Sequence, residues 1–523
     1  MKTIGLSRPL RPFAAALTVL ATVTVAPQAH AYVALMAGQR ARPLNGSFNK
    51  VPVLHSNQPE EVEGPGILIT TSPGVSYAAE NGQPLRNVEY NFNGDFGLHL
   101  HHKYFPSYRS KIRAGKRRSE LTLGVILTNP GNRPVNVQLQ RGAVRNSFQA
   151  PYHSNHLMGV KPLGRRPWNT GPGDATAVQM LREQLDREFD AGITIPARSR
   201  LVLFKTQLPA LGIANALLKG RSNGPFQMAV VAARQSNNDA DLMAVLDQRR
   251  LAPGRVYLNR VADIKSRRVF SRVGGVAIGD RYQASLEHDL RKNGALHVPL
   301  TSTSRHHFGT RDIQVNPLAT RMIDSSIDNI GTYGVRFDID LKLTGSGPYE
   351  LVLSHPSAGS SRAPFVAFRG SLQVKTADGL EEMHLGMRSG ESHALTTLNL
   401  RPQTVNPVRV SLVYPADSTP GHLLSVVPSV QLARLQKRPT APKTAAQRAT
   451  APRPATVQPV KAKPPVLPPQ PDPPKSLLPA PAKRPPPQPH VPASKIDPGQ
   501  PLLNRYQQAM EAQKALMREL MGR

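Results

Sequence analysis

The stretch Gly97–Phe105, GLHLHHKYF, places three histidines within four residues. Imidazoles at this density can ligate a transition metal, carry protons, or serve as ordinary strand residues. On a strand, His99 and His101 share a face because side chains alternate with a period of two, and their Cα atoms stand about 6.6 Å apart. That spacing suits two ligands of one ion, with His102 on the opposite face. The third ligand must come from elsewhere in the chain. His306 is the candidate, with His153, His156, His307 and Asp95 as further choices. No cofactor is expected beyond such a transition metal. A cupin-type site does not fit, because Asn93 stands where that pattern has glycine and no acid follows at the required interval.

Other chemistry has little support. There is no G-x-S-x-G nucleophile elbow, and "GVAIGDRY" lacks the glycine spacing of a phosphate loop. The acid pairs Glu60/Glu61, Asp338/Asp340 and Glu381/Glu382 suit solvated strand faces better than the facing carboxylates a glycosidase needs. The chain is therefore expected to be non-enzymatic, with a histidine-ligated metal enzyme as the alternative. Two binding features stand out instead. Lys111, Arg113, Lys116, Arg117 and Arg118 crowd one short run and could form an anion-binding loop. Trp168, the single tryptophan, lies in "GRRPWNTGPG" and could be a sugar platform.

Charge and cysteine content narrow the setting. The chain carries a net charge of +32. Tyr32–Leu435 alone holds 48 basic and 30 acidic residues, a net of +18. Such an excess favours anionic partners. Lys2, Arg8 and Arg11, the apolar run Phe13–Ala26 and Ala29-His30-Ala31 read as a secretory signal peptide over 1–31. Export to the periplasm or cell envelope makes nucleic acid an unexpected partner and an anionic envelope polymer or polysaccharide the expected one. With no cysteine, an exported body must be held by core packing alone, which a chain of this size can supply.

The organisation follows from composition. Residues 32–435 form the body, with a break between two sandwich subdomains expected near 255–275. Residues 436–500 form a proline-rich spacer: 21 of the 63 residues from Pro439 to Pro501 are proline. Such a segment cannot bury enough apolar surface to fold and favours extended polyproline II. Residues 501–523 read as an amphipathic helix with apolar positions seven apart, suited to a protein or membrane-surface partner.

The body is expected to be mainly β and sandwich-like, with two or three short helices. Leu121, Leu123, Val125 and Leu127 alternate, Asn129–Asn132 turns, and Val135, Val137 and Leu139 resume, which predicts a hairpin. Val335–Leu343, the turn Gly345–Pro348 and Leu351–Leu353 predict a second. Helices are expected over "ATAVQMLREQLDREF", capped by Asp174, and over "DADLMAVLDQRR", capped by Asn238 or Asp239. An Ala/Leu-rich helical turn is expected between Arg200 and Gly224.

Several phrases, among them "VPVLHSNQPEEVEGPGILITTSP", His101-His102, "LGVILTNPGNRPVNVQL", "RVGGVAIGDRYQA", "GTYGVRFDIDLKL" and "LVYPADSTPGHLLSV", resemble a family of exported cyanobacterial proteins known as a domain of unknown function. The similarity spans roughly Val51 to Val427. It implies an extracytoplasmic protein and no particular activity.

Overall fold

Strand alternation decides which residues go inward, and the core follows it. Phe337, Ile339, Leu341 and Leu343 on the strand Arg336–Thr344 are all buried together, with Leu351 and Leu353 of Gly347–Ser354 opposite them. The computed structural model describes residues 40–107, 119–152, 158–164, 170–190, 192–267, 272–356, 364–416 and 418–437. The chain divides after Thr440 into two units, and every described residue belongs to the first. That unit is mainly β, with strands gathered into several sheets and a few short helices.

Two apolar cores organise it. The first draws on residues from Leu54 to Val276, plus Met322. A 12-stranded sheet network surrounds it. The second draws on Leu44 and on residues from Tyr282 to Val426. Here a seven-stranded sheet supplies Tyr282, Phe337, Leu372, Leu385 and Leu412, and a four-stranded sheet supplies Leu296, Val298, Leu351 and Leu424. The second core is thus the filling of a sandwich. Core membership changes between Val276 and Tyr282. The short strand Ser47–Phe48 breaks this order, because it pairs with Gln283 and Tyr282 at the edge of the seven-stranded sheet.

Neither predicted hairpin forms. Ser119–Thr128 pairs with Arg200–Pro209 and with the far half of Ile213–Arg234. Val135–Asn146 pairs with Gly192–Ile195 and with the near half of that same long strand. Likewise Arg336–Thr344 lies in the seven-stranded sheet while Gly347–Ser354 lies in the four-stranded one. Both turns carry the chain from one sheet to the other. Alternation had identified the buried faces correctly but could not identify the strand each would bond to.

The helical turn expected between Arg200 and Gly224 is also absent. Ile213–Arg234 is a single 22-residue strand. Its Ala and Leu residues favour helix in isolation. Here Phe92–Tyr104 pairs along one edge and Val135–Asn146 along the other, so the ladder overrides propensity. Of the helices, Asp239–Asp247 forms as expected and Asn238 caps it, accepting from the Ala240 N–H at 3.0 Å. The other is shorter than predicted. Pro172–Leu181 stops well before Phe189, and Asp174 sits inside its first turn while Gly171 takes the cap position.

That helix lies where the two cores meet. Ala177, Met180 and Leu181 pack with Leu217 of the long strand and Val413 of the second sandwich. Thr176 accepts from Asn215 Nδ2 at 2.5 Å on one side. Asp174 accepts from Ser371 Oγ and His384 Nδ1, both at 3.0 Å, on the other.

Candidate functional site

The histidines of GLHLHHKYF lie on the strand Phe92–Tyr104, which is flanked by Pro52–Ser56 in parallel and by Ile213–Arg234 in antiparallel pairing. All three are buried, so their chemistry depends on hydrogen-bond partners rather than water. His102 shares its face with Leu98 and Leu100 of the first core. It donates through Nδ1 to the Pro59 carbonyl at 2.7 Å, and Nε2 accepts from Ser56 Oγ at 2.8 Å. These bonds fix one neutral tautomer. His101 donates to Asn215 Oδ1 at 3.0 Å, in line with Thr176 of the junction helix. His99 Nδ1 meets His55 Nδ1 at 3.2 Å.

Burial makes protonation of these rings unfavourable. It lowers His55 to about 3 and His102 to about 3, the latter against the Pro59 carbonyl, which works to raise it. His99 is lowered well below the usual imidazole range by burial and then by its histidine neighbours. At neutral pH all three are neutral rings in a packed interior.

From His99 a file of rings runs into the second core. His99 stacks on Tyr333 with centroids 6.4 Å apart, and Tyr333 stacks on Tyr414 at 6.0 Å. Gly334 makes this approach possible: at φ 76°, it would place a Cβ 2.9 Å from Leu217 Cδ2 and 3.4 Å from His99 Cβ. Tyr414 Oη then lies 3.1 Å from His422 Nε2. The His422 ring is 5.1 Å from that of His355, and His355 is 6.4 Å from His306.

His306 therefore stands at the far end of this file, in the second sandwich, and does not join His99 and His101. Among the described residues, no three His, Cys, Asp or Glu side chains are placed to hold one ion. His307 sits next to His306, where its carbonyl accepts from Thr310. Asp95 lies near Arg221 on the exposed end of the histidine strand. Lys111, Arg113, Lys116, Arg117, Arg118, Trp168, His153 and His156 lie outside the described residues, as do the signal segment, the spacer and the terminal helix.

Sequence inspection missed His55, Tyr333, His355, Tyr414 and His422, which lie far apart in the chain and meet only in space. It also missed the buried Asp174–His384–Ser371 group, although the Asp174 signal was present and taken for a cap. Two clefts, of about 280 Å³ and 230 Å³, have Glu63, Glu80 and Arg255 in the lining of one and Glu188, Phe189 and Lys205 in that of the other. Neither lining includes a histidine. One exposed aromatic was also overlooked. Tyr77, on the hairpin Val75–Tyr77/Pro84–Arg86, is 46% exposed, and Arg250 lies beside it in bridge register. Arg249 and Arg250 are exposed, while Arg86 is engaged by Glu89 at 2.7 Å.

The chain belongs to a protein family of unknown function. Residues 39–428 match the model described as "Protein of unknown function (DUF3370)". No curated protein matches the sequence. Among solved structures, the CUB1-EGF-CUB2 domain of human MASP-1/3 is similar at 10% identity and a TM-score of 0.15, over 63% of this chain and 98% of that one. A score that low carries no argument about fold or function.

Proposed function

We propose that this is an exported, non-enzymatic envelope protein that binds or scaffolds at an anionic cell-wall or polysaccharide surface. The observation that carries the proposal is Tyr77, an exposed aromatic set beside Arg250 on a body of net charge +18. A tyrosine ring offers an apolar face to a sugar, and the guanidinium offers a planar fork to its carboxylate or sulfate. Many acids of the body are consumed within the fold: Asp324 by Arg255, Asp280 by Lys219, Asp186 by Arg145 and Glu382 by Arg182. Arg133, Arg198, Arg249, Arg250 and Lys375 remain exposed to solvent. No helix among the described residues is long and apolar enough to cross a membrane.

The test is retention of the mature protein on isolated cell wall or acidic polysaccharide. Arg249→Gln/Arg250→Gln and Tyr77→Ala should each weaken retention about tenfold, matching the ~1 kcal/mol typical of an exposed cation or aromatic contact. Salt should release the protein between about 0.1 M and 1 M, as the Debye length falls from ~10 Å to ~3 Å. Retention that ignores both salt and these substitutions would refute the proposal.

A further inference from the structure

We infer that His306, His355 and His422 form a seat for one divalent transition-metal ion of the zinc type, at the outer end of the ring file. The inference is independent of polysaccharide binding.

The topology brings these residues together. His355 follows the strand Gly347–Ser354 and His422 begins His422–Pro428, and these strands are antiparallel neighbours with Ser354 opposite Leu423. Leu300 pairs with His422 from the other side, and the loop after Leu300 carries His306. Gly421, at φ 101°, lets this loop close: a Cβ there would lie 2.5 Å from His306 Cβ. The three imidazoles are therefore held on three separate segments around one point of the sheet end.

Hydrogen bonding prepares two of the rings as ligands. His355 donates Nδ1–H to the Pro356 carbonyl at 2.8 Å, which leaves the lone pair on Nε2. His422 is held through Nε2 by Tyr414 Oη. His355 Nε2 and His422 Nδ1 are buried with no hydrogen-bond partner. An unpartnered buried polar atom costs about 1–3 kcal/mol, so two in adjacent rings call for an occupant. Ligating histidines usually anchor their other nitrogen on a carbonyl or similar group, as both rings do here.

The spacing also fits. With a Zn–N distance of about 2.0–2.1 Å, two imidazoles on one tetrahedral ion hold their ring centroids roughly 5 Å apart. His355 and His422 are 5.1 Å apart. His306 is wider, at 6.4 Å from His355, so the rings as they stand do not converge on a common point. His306 is exposed on its loop and free to turn its ring inward. Burial lowers His355 to about 4 and holds His422 well below the usual range. Protons therefore compete little with a metal at neutral pH. Three imidazoles leave one position of a tetrahedral ion open on the exposed side.

Cobalt(II) is the probe, because imidazole ligation gives it visible absorption. The chelator-stripped full chain, titrated with cobalt chloride, should take up one equivalent with new visible bands, and zinc should displace it. His306→Ala, at an exposed position, should preserve the circular dichroism spectrum and weaken cobalt binding at least about 100-fold, since even outer partners of ligands are worth 10–100-fold. Tyr414→Phe should weaken it about tenfold, and His307→Ala should leave it unchanged. If the stripped protein takes up no stoichiometric cobalt, or if His306→Ala binds as tightly as the parent, the inference is wrong. Should His422→Gln fail to fold, His306→Ala alone decides.

Discussion

Two groups of three histidines make opposite use of the same side chain. His99, His101 and His102 are almost adjacent in the chain, yet strand alternation divides them between two faces and neighbouring residues occupy their nitrogens. His306, His355 and His422 come from three distant segments, yet their rings gather at one sheet end with two nitrogens unoccupied. Density along the sequence measures how many imidazoles a strand carries. Convergence in space, with nitrogens left open, is what ligation requires.

Acid should break the comparison most strongly, because it acts on every buried ring at once. His55 and His102 have folded values of about 3, below the unfolded value of 6.5. The unfolded chain thus binds more protons through this window, so stability is full above about pH 6.5 and is lost as pH falls towards 3. Each of these two rings should cost about 1.5 kcal/mol between about pH 6.5 and pH 5. Urea unfolding followed at several pH values should show the midpoint falling in that range. A midpoint flat down to pH 4 would mean that the rings are solvated.

Single substitutions should then separate the groups. His102→Ala removes a packed ring and leaves Ser56 Oγ and the Pro59 carbonyl without their partner, a loss of about 3 kcal/mol by chemical denaturation. Equal stability in this variant would undo the description of His102 as a bonded core residue. His306→Ala should change stability by no more than about 0.5 kcal/mol in metal-free protein, as exposed substitutions usually do. The sharpest form of the comparison is the same pair measured with zinc present, where only the His306 variant should lose ground to the parent.

The sequence made the faces of the fold legible and left the pairings hidden. Leu121, Leu123, Val125 and Leu127 were recognisably core, and they are buried. The turn at Asn129–Asn132 looked like a hairpin because a two-residue period says nothing about which strand lies alongside. Asn129 gives the physical reason after the fact: its Nδ2 donates to the carbonyls of Arg133, Ile195 and Pro196, tying the corner to a distant strand. The candidate site was hidden in the same way. Only His306 was singled out, and it was assigned to the wrong partners, because His355 and His422 reach it through a strand pairing that no local pattern encodes.

The strand Ser47–Phe48 has a consequence for how the molecule is made. Its partners, Gln283 and Tyr282, leave the ribosome more than two hundred residues later. At roughly 5–20 residues per second, the early segment waits on the order of ten to fifty seconds for its neighbour. During that interval the first core can assemble from residues already present, while the edge of the second sandwich stays open. Closing it is a late, long-range event, and an unpaired sheet edge is a template for association with other chains. Nascent or freshly translocated molecules should therefore be most prone to self-association just before this strand docks.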